Sequence, residues 1–292
     1  MMWPERIVGS TRETIYFAVA VVSSLLLTYV LLVQRQQSPQ VVHIDVSLTD
    51  FHSLYAKDLA HAKYIDLTHT IKPNMPLWSG FNQPTMGGSP SKLNGEVFEY
   101  GKDGFIATSV TLPTDQLGTQ LDPPAHWNEY GATISDLPPT VALRPLVLID
   151  LSAKPPGYHA TVADVKEWEA SYGRVPAGSA VLFRSDWSKL WDTYGASAGP
   201  DVFPGVGLDA LKFLHLARSI LVHGHEPLDT DMTPTLEGEA WLLHNNFMQF
   251  EGVANLDKLP ASGCLLSIGA WPAGPAVVLS CAVPPHPLLG VL

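Results

Sequence analysis

The sequence predicts a mixed α/β domain in which strands outnumber helices, and three observations lead there. Short runs rich in β-branched and aliphatic residues recur through the second half of the chain: LVLID at 146–150, AVLFR at 180–184, ILVHG at 220–224, CLLSIG at 264–269 and AVVLSCAV at 276–283. Each is bounded by polar or Gly/Pro punctuation, as buried strands are. Patterns with helical periodicity are fewer. The 292 residues are 46% hydrophobic and 15% charged, which suits one large core and is too apolar for a disordered chain.

Taken in order, residues 1–13 form an N-terminal flank and residues 14–33 read TIYFAVAVVSSLLLTYVLLV, a stretch without charge. At 1.5 Å per helical residue such a run is ~30 Å long, the thickness of a bilayer's hydrocarbon core. No small-residue cleavage pattern precedes Gln34, so the expectation is an uncleaved single-pass transmembrane helix and a membrane location, with its orientation open. Residues 34–63 read as a tether and a short helix, and the compact domain is expected over 64–292. Within it, Thr161 to Asp164 has capping-box spacing ahead of VKEWEASYG. LDALKFLHLAR from Leu208 has apolar residues at helical spacing, and LEGEAWLLHNN follows Pro234 and Thr235. The Pro/Gly-rich stretch 72–104 lacks periodicity, and loops of that length usually shape a site.

Seventeen Lys+Arg against 28 Asp+Glu give a net charge of −11, which repels a phosphate backbone and excludes nucleic acid as a partner. Cys264 and Cys281 have neither CxxC nor Cys/His metal spacing, and no GxGxxG or GxxxxGK[ST] is present. Polar groups concentrate in three places. Alternation places Gln116, Gly118, Gln120 and Asp122 on one face of an extended segment, and Pro123 and Pro124 then turn the chain so that His126 comes back beside it. A second cluster, His223 to Asp231, follows an apolar strand directly. The third is Gln249-Phe250-Glu251, whose period of two puts amide and carboxylate on one face. Each alone has a plain structural reading: Asp122 as a turn cap, His126 as a packed imidazole, the 226–231 run as a solvated loop, Glu251 as an ion-pair partner of Arg144 or Arg184. Several carboxylates and imidazoles at strand ends of one domain favour a site, because burying them unpaired costs several kcal/mol.

The segment around Gly118-Thr119 resembles the HxGTHxDxPxH signature of the cyclase family, which includes bacterial kynurenine formamidases and isatin hydrolases. The resemblance runs over about residues 64–270. Tyr64 to His69 with Met75 to Gly80 is similar to the family's opening DLSH…MPxWxG. Phe183 to Trp187 and Gly224 to Asp231 fall at its central landmarks, and Glu251 to Pro260 at EGLxNLDxLP. GTQLDPPAHW together with HGHEPLDTD resembles a subgroup of that family.

The resemblance implies the swivelling β/β/α fold with a mixed, β-barrel-like core, a homo-oligomer, and a divalent-metal site. Asp122 matches the metal-binding aspartate, His126 the acid/base and Glu251 the late carboxylate ligand. Both signature histidines are Gln116 and Gln120 here, and the later histidine, 12 residues before Glu251, is Glu239. The implied ligand set is therefore Asp122, Glu251, Gln116, Gln120 and Glu239, with catalytic roles for His126, Asp122 and Glu251. Oxygen donors in place of imidazole favour Mn²⁺ or Mg²⁺ over Zn²⁺. Trp271 to Pro275 stands where the family has a Gly-rich loop ending in Ala-Arg, without the arginine. The implied chemistry is arylformamidase-like hydrolysis of a formamide, cyclic amide or lactone. Trp78, Phe81, Trp127 and His225 are expected to hold a small-molecule substrate. The alternative is a membrane-tethered, non-catalytic binding protein that has lost the metal.

Overall fold

The computed structural model describes residues 50–193, 202–271 and 274–284. Their centre is an eight-stranded mixed sheet ordered β1-β12-β11-β5-β7-β9-β10-β4, from β1 (Lys63–Asp66), β4 (Gln120–Asp122), β5 (Leu143–Asp150), β7 (Ala180–Arg184), β9 (Val222–His225), β10 (Met248–Glu251), β11 (Cys264–Trp271) and β12 (Gly274–Val283). β5, β7, β9 and β10 run parallel; β4 joins β10 antiparallel, and the pairs among β1, β12, β11 and β5 are antiparallel. Gln120 of β4 also pairs with Ala276 of β12, so the sheet curls back on itself as a half-barrel, a partial closure of the expected barrel-like core. Two small sheets, β2 (Thr85–Gly88) with β3 (Thr108–Thr111) and β6 (His159–Ala160) with β8 (Gly205–Val206), lie apart from it.

β5 and β7 are apolar without alternation because both of their faces are covered. Leu146, Leu148, Leu182, Val222 and Phe250 enter one core with β11 and β12 residues such as Leu266 and Cys281. Val147, Ile149, Val181 and Phe183 point the other way, toward α3 (Val162–Tyr172) and α4 (Leu208–Lys212), through Val165, Trp168 and Leu211. α3 starts at the capping box legible in the sequence: the Thr161 backbone N–H and hydroxyl donate to Asp164 Oδ2 at 2.8 and 2.7 Å. α4 runs on into a π-helical turn, Phe213–Ala217. The short helices α1 (Phe51–Lys57) and α2 (Tyr100–Asp103) are exposed, and α5 (Glu237–His244) has a buried face.

The expected membrane location is corrected here. No helix among the described residues is long and apolar enough to cross a membrane, and residues 14–33, to which the expectation was tied, lie outside the described residues. The flank over 1–13 and the tether up to residue 49 lie outside them too, as do residues 272 and 273 of the altered C-terminal loop.

Candidate metal centre

β4 and β10 lie side by side, with Gln249 opposite Asp122, Phe250 opposite Leu121 and Glu251 opposite Gln120. Strand alternation sends Leu121 and Phe250 into the core and turns Asp122, Gln120, Gln249 and Glu251 to the other face, where all four are buried. Gly118 and Gly252 let the chains approach so closely. Both have positive φ (67° and 58°), and a Cβ on Gly252 would lie 2.4 Å from the Gly118 carbonyl oxygen. Gly252→Ala is therefore expected to push the two site strands apart and to lower stability by ~1–3 kcal/mol, read as a fall in the urea midpoint at constant slope.

With Gln116, the four side chains form one hydrogen-bonded array of five. Gln116 Nε2 donates to Asp122 Oδ1 at 3.0 Å, and Gln249 Nε2 donates to Asp122 Oδ2 at 3.0 Å and to Glu251 Oε1 at 2.8 Å. Gln120 Nε2 completes it by donating to Glu251 Oε2 at 2.8 Å and to Gln116 Oε1 at 2.7 Å. Every oxygen of both carboxylates thus accepts an amide N–H. This differs from the expectation for Gln116 and Gln120. Their nitrogens, not their oxygens, face the acidic groups, because a carboxylate can only accept while an amide can turn either end toward it. The Gln116 oxygen is spent on Gln120, whereas Gln120 Oε1 is buried without a partner.

The prolines after Asp122 make a 3₁₀ turn, Pro124–His126, that carries His126 to an exposed position at the rim. α5 packs on that turn, with Trp127 edge-on to His244 at 6.3 Å. The start of α5 is held by Asp231, whose Oδ2 accepts the backbone N–H groups of Gly238 at 2.8 Å and Glu239 at 3.4 Å. Glu239 therefore points its carboxylate inward beside the β4 turn. One ligand atom each of Asp122, His126 and Glu239 lie within 4.8 Å of one another. Glu251 stays behind this trio, tied to Asp122 through the shared Gln249 nitrogen.

Burial is the main force on the ionisation of these groups. It raises Asp122 against the opposing pull of His126 and the amide donors, and it raises Glu239 and Glu251 well above the usual carboxylate range. The charge of Asp122 adds to the shift of both glutamates, with Asp229 further contributing. Among the described residues no Lys or Arg forms a salt bridge with any of the three; Arg184 pairs with Asp150 and Asp186 instead of Glu251. Glu239 Oε2, like Gln120 Oε1, is buried and has no hydrogen-bond partner. Clustered buried carboxylates, an imidazole within reach and two orphaned oxygens fit a divalent cation.

The expected substrate contacts separate into two kinds. Trp78 (59% exposed), Phe81 (37%) and Trp127 (36%) are accessible, Trp78 and Phe81 meeting edge to face at 5.0 Å. His225 is not available to a substrate. It is buried in β9, with Nδ1 3.0 Å from the Pro227 carbonyl oxygen and Nε2 2.9 Å from the Thr230 hydroxyl oxygen. A strand between β7 and β10 leaves an inward side chain no route to solvent. Thr230, which lies in the His223 to Asp231 cluster but has no role of its own in the expected site, is part of the array: its hydroxyl donates to Gln249 Oε1.

Asp122 and His126 fall inside the segment matched by a family of known proteins, and Glu239, Gln249 and Glu251 lie beyond it. The family profile described as "Putative cyclase" matches residues 65–232. The chain therefore belongs to the cyclase family. It is similar to the isatin hydrolase of Roseibium aggregatum, at 30% identity over 221 residues covering 69% of this chain and 83% of that one. A shorter likeness, 27% over 124 residues, covers 42% of this chain and 52% of the kynurenine formamidase of Maricaulis maris. The solved structure of isatin hydrolase A from Labrenzia aggregata, bound to benzyl benzoate, superposes with a TM-score of 0.66 at 26% identity over 80% of this chain and 98% of that one.

Proposed function

We propose that the chain hydrolyses a formamide, cyclic amide or lactone carried on an aromatic ring, in the manner of an arylformamidase or isatin hydrolase, with a divalent ion held by Asp122, His126 and Glu239. The observation that carries this reading is the convergence of those three side chains on the DPPAHW turn of a cyclase-family chain whose named relatives are hydrolases. A bound ion would polarise the scissile carbonyl and make a water more acidic. Asp122 is fixed by two amide donors, so its lone pairs stay aimed at the trio. The unpartnered Glu239 oxygen takes the proton of the attacking water and returns it to the leaving nitrogen or oxygen. In this reading His126 sits on the ion, in place of the acid/base role its sequence position implied. Glu251 serves to hold the array together. Trp127, half-open beside His126, offers its face to the substrate ring. Two carboxylates against one imidazole make a hard donor set, which favours Mn²⁺ or Mg²⁺ over Zn²⁺.

We also infer a homo-oligomer, supported by the resemblance and by β2 and β3, which bury none of their residues and expose Met86 and Val110 together with neighbouring Phe105 and Ile106.

The test is reconstitution. Chelated full-length protein is reloaded with Mn²⁺, Mg²⁺ or Zn²⁺ and assayed on N-formyl arylamines, isatin-type cyclic amides and aryl lactones. Turnover restored better by Mn²⁺ or Mg²⁺ is expected. A protein that retains no divalent ion at millimolar supply and leaves the whole panel untouched is a non-catalytic binding protein on this fold.

A further inference from the structure

We propose that Thr230, acting through Gln249, is a positioning residue for the candidate metal centre: its hydroxyl dictates which way the Gln249 amide faces, and so whether Asp122 and Glu251 are held or repelled. The inference rests on the metal-centre reading for its consequence, and on hydrogen-bond geometry alone for its mechanism.

Gln249 is fully buried between two acidic groups. In the observed orientation its nitrogen donates to Asp122 Oδ2 and Glu251 Oε1, using both amide hydrogens. Turned over, the amide would set its carbonyl oxygen between two carboxylates. That arrangement offers no donor to either and leaves two buried acceptors unsatisfied. The carboxylates alone cannot enforce the choice, because the amide oxygen must also find a donor in a dry environment. Thr230, itself fully buried, supplies it. Two β9 imidazoles border the hydroxyl oxygen, Nε2 of His225 at 2.9 Å and Nε2 of His223 at 3.4 Å. Nδ1 of the His225 ring lies 3.0 Å from the Pro227 carbonyl oxygen. A chain of contacts thus runs from the Pro227 turn through His225 and Thr230 to Gln249 and ends on both carboxylates. None of its first three members is placed to reach a substrate, and none is a ligand of the trio.

Partners that orient metal ligands from behind are worth ~10–100-fold in metal affinity when removed. Thr230→Val keeps the shape and deletes the hydroxyl, whereas Thr230→Ser keeps the hydroxyl and deletes the methyl group. Mn²⁺ titration of the full-length protein, followed by electron paramagnetic resonance, is expected to show affinity lowered ~10–100-fold in Thr230→Val and restored in Thr230→Ser. Equal affinity in all three proteins, or equal loss in both variants, overturns the proposal, since the first denies the positioning and the second assigns it to packing. A second readout does not depend on the metal. The Gln249 side-chain amide resonance, assigned by its disappearance in Gln249→Met, is expected to exchange slowly with solvent in the wild type and in Thr230→Ser, and at least ~10-fold faster in Thr230→Val, the loss of one hydrogen bond. If the wild type binds no Mn²⁺, the metal-centre reading falls and the amide exchange alone decides the positioning role: unchanged exchange in Thr230→Val refutes it, faster exchange sustains it.

Discussion

Asp122→Asn is expected to remove divalent-ion binding and hydrolysis together while leaving the fold in place. Asp122 is the one member of the trio bound at both oxygens, by Gln116 and Gln249, and the asparagine amide must present its NH₂ to one of those two donors. That mismatch costs ~1–3 kcal/mol for a buried group left unsatisfied. Loss of a buried negative charge, whose burial raises the Asp122 pKa, offsets it, so the net change in stability is small. The effect on the ion has no such compensation. Removing outer partners of a metal ligand already costs ~10–100-fold in affinity, and removing the ligand's charge exceeds that. Isothermal titration with Mn²⁺ and assay on the responsive substrate measure both losses on protein whose melting temperature is checked first. Retained affinity in a folded Asp122→Asn protein would place the ion elsewhere.

The parts of this site that were legible in the sequence are those set by short-range geometry. Period-two alternation placed Gln249 and Glu251 on one face, and Pro123 and Pro124 turned the chain after Asp122; both features follow from local backbone rules. The strands were legible for the same reason, because a parallel strand buried on both faces leaves an unbroken apolar run such as AVLFR. What sequence could not supply was the company each side chain keeps. Glu239 reaches His126 only because α5 packs on the Pro124–His126 turn with Asp231 holding its first N–H groups. Gln116 and Gln120 carry a donor and an acceptor on one group, and the neighbouring carboxylates decide that nitrogen faces them. His225 follows an apolar run at a strand end, where substrate contacts are common, yet it lies between two parallel neighbours and is spent inside. Thr230 lies in the HGHEPLDTD segment, yet nothing there gives it a role of its own, since its importance is the orientation of an amide from another strand.

Glu239→Gln is expected to move stability in opposite directions with and without the ion, which makes it the sharpest test of the ligand set. Burial, then the charges of Asp122 and Asp229, hold the Glu239 carboxyl well above its ordinary value of 4.5. A carboxyl whose pKa is raised on folding binds a proton more tightly in the native state than in the unfolded chain. Its contribution to stability is therefore complete below the unfolded value and is lost progressively as pH rises toward the folded one. Glutamine is neutral at every pH and nearly isosteric, so it escapes that loss. Metal-free Glu239→Gln should melt higher than metal-free wild type at alkaline pH, with the gap closing as pH falls toward 4.5. The ion reverses the order. A cation at 100 times its dissociation constant stabilises the wild type by about 2.7 kcal/mol, and a variant that no longer binds it gains nothing. Melting curves of both proteins across pH, with chelator and with millimolar Mn²⁺, should cross in this way. Two proteins that gain equally from Mn²⁺ would exclude Glu239 from the ligand set, and a metal-free variant less stable than wild type at high pH would mean that the buried carboxylate is compensated by a partner within the protein.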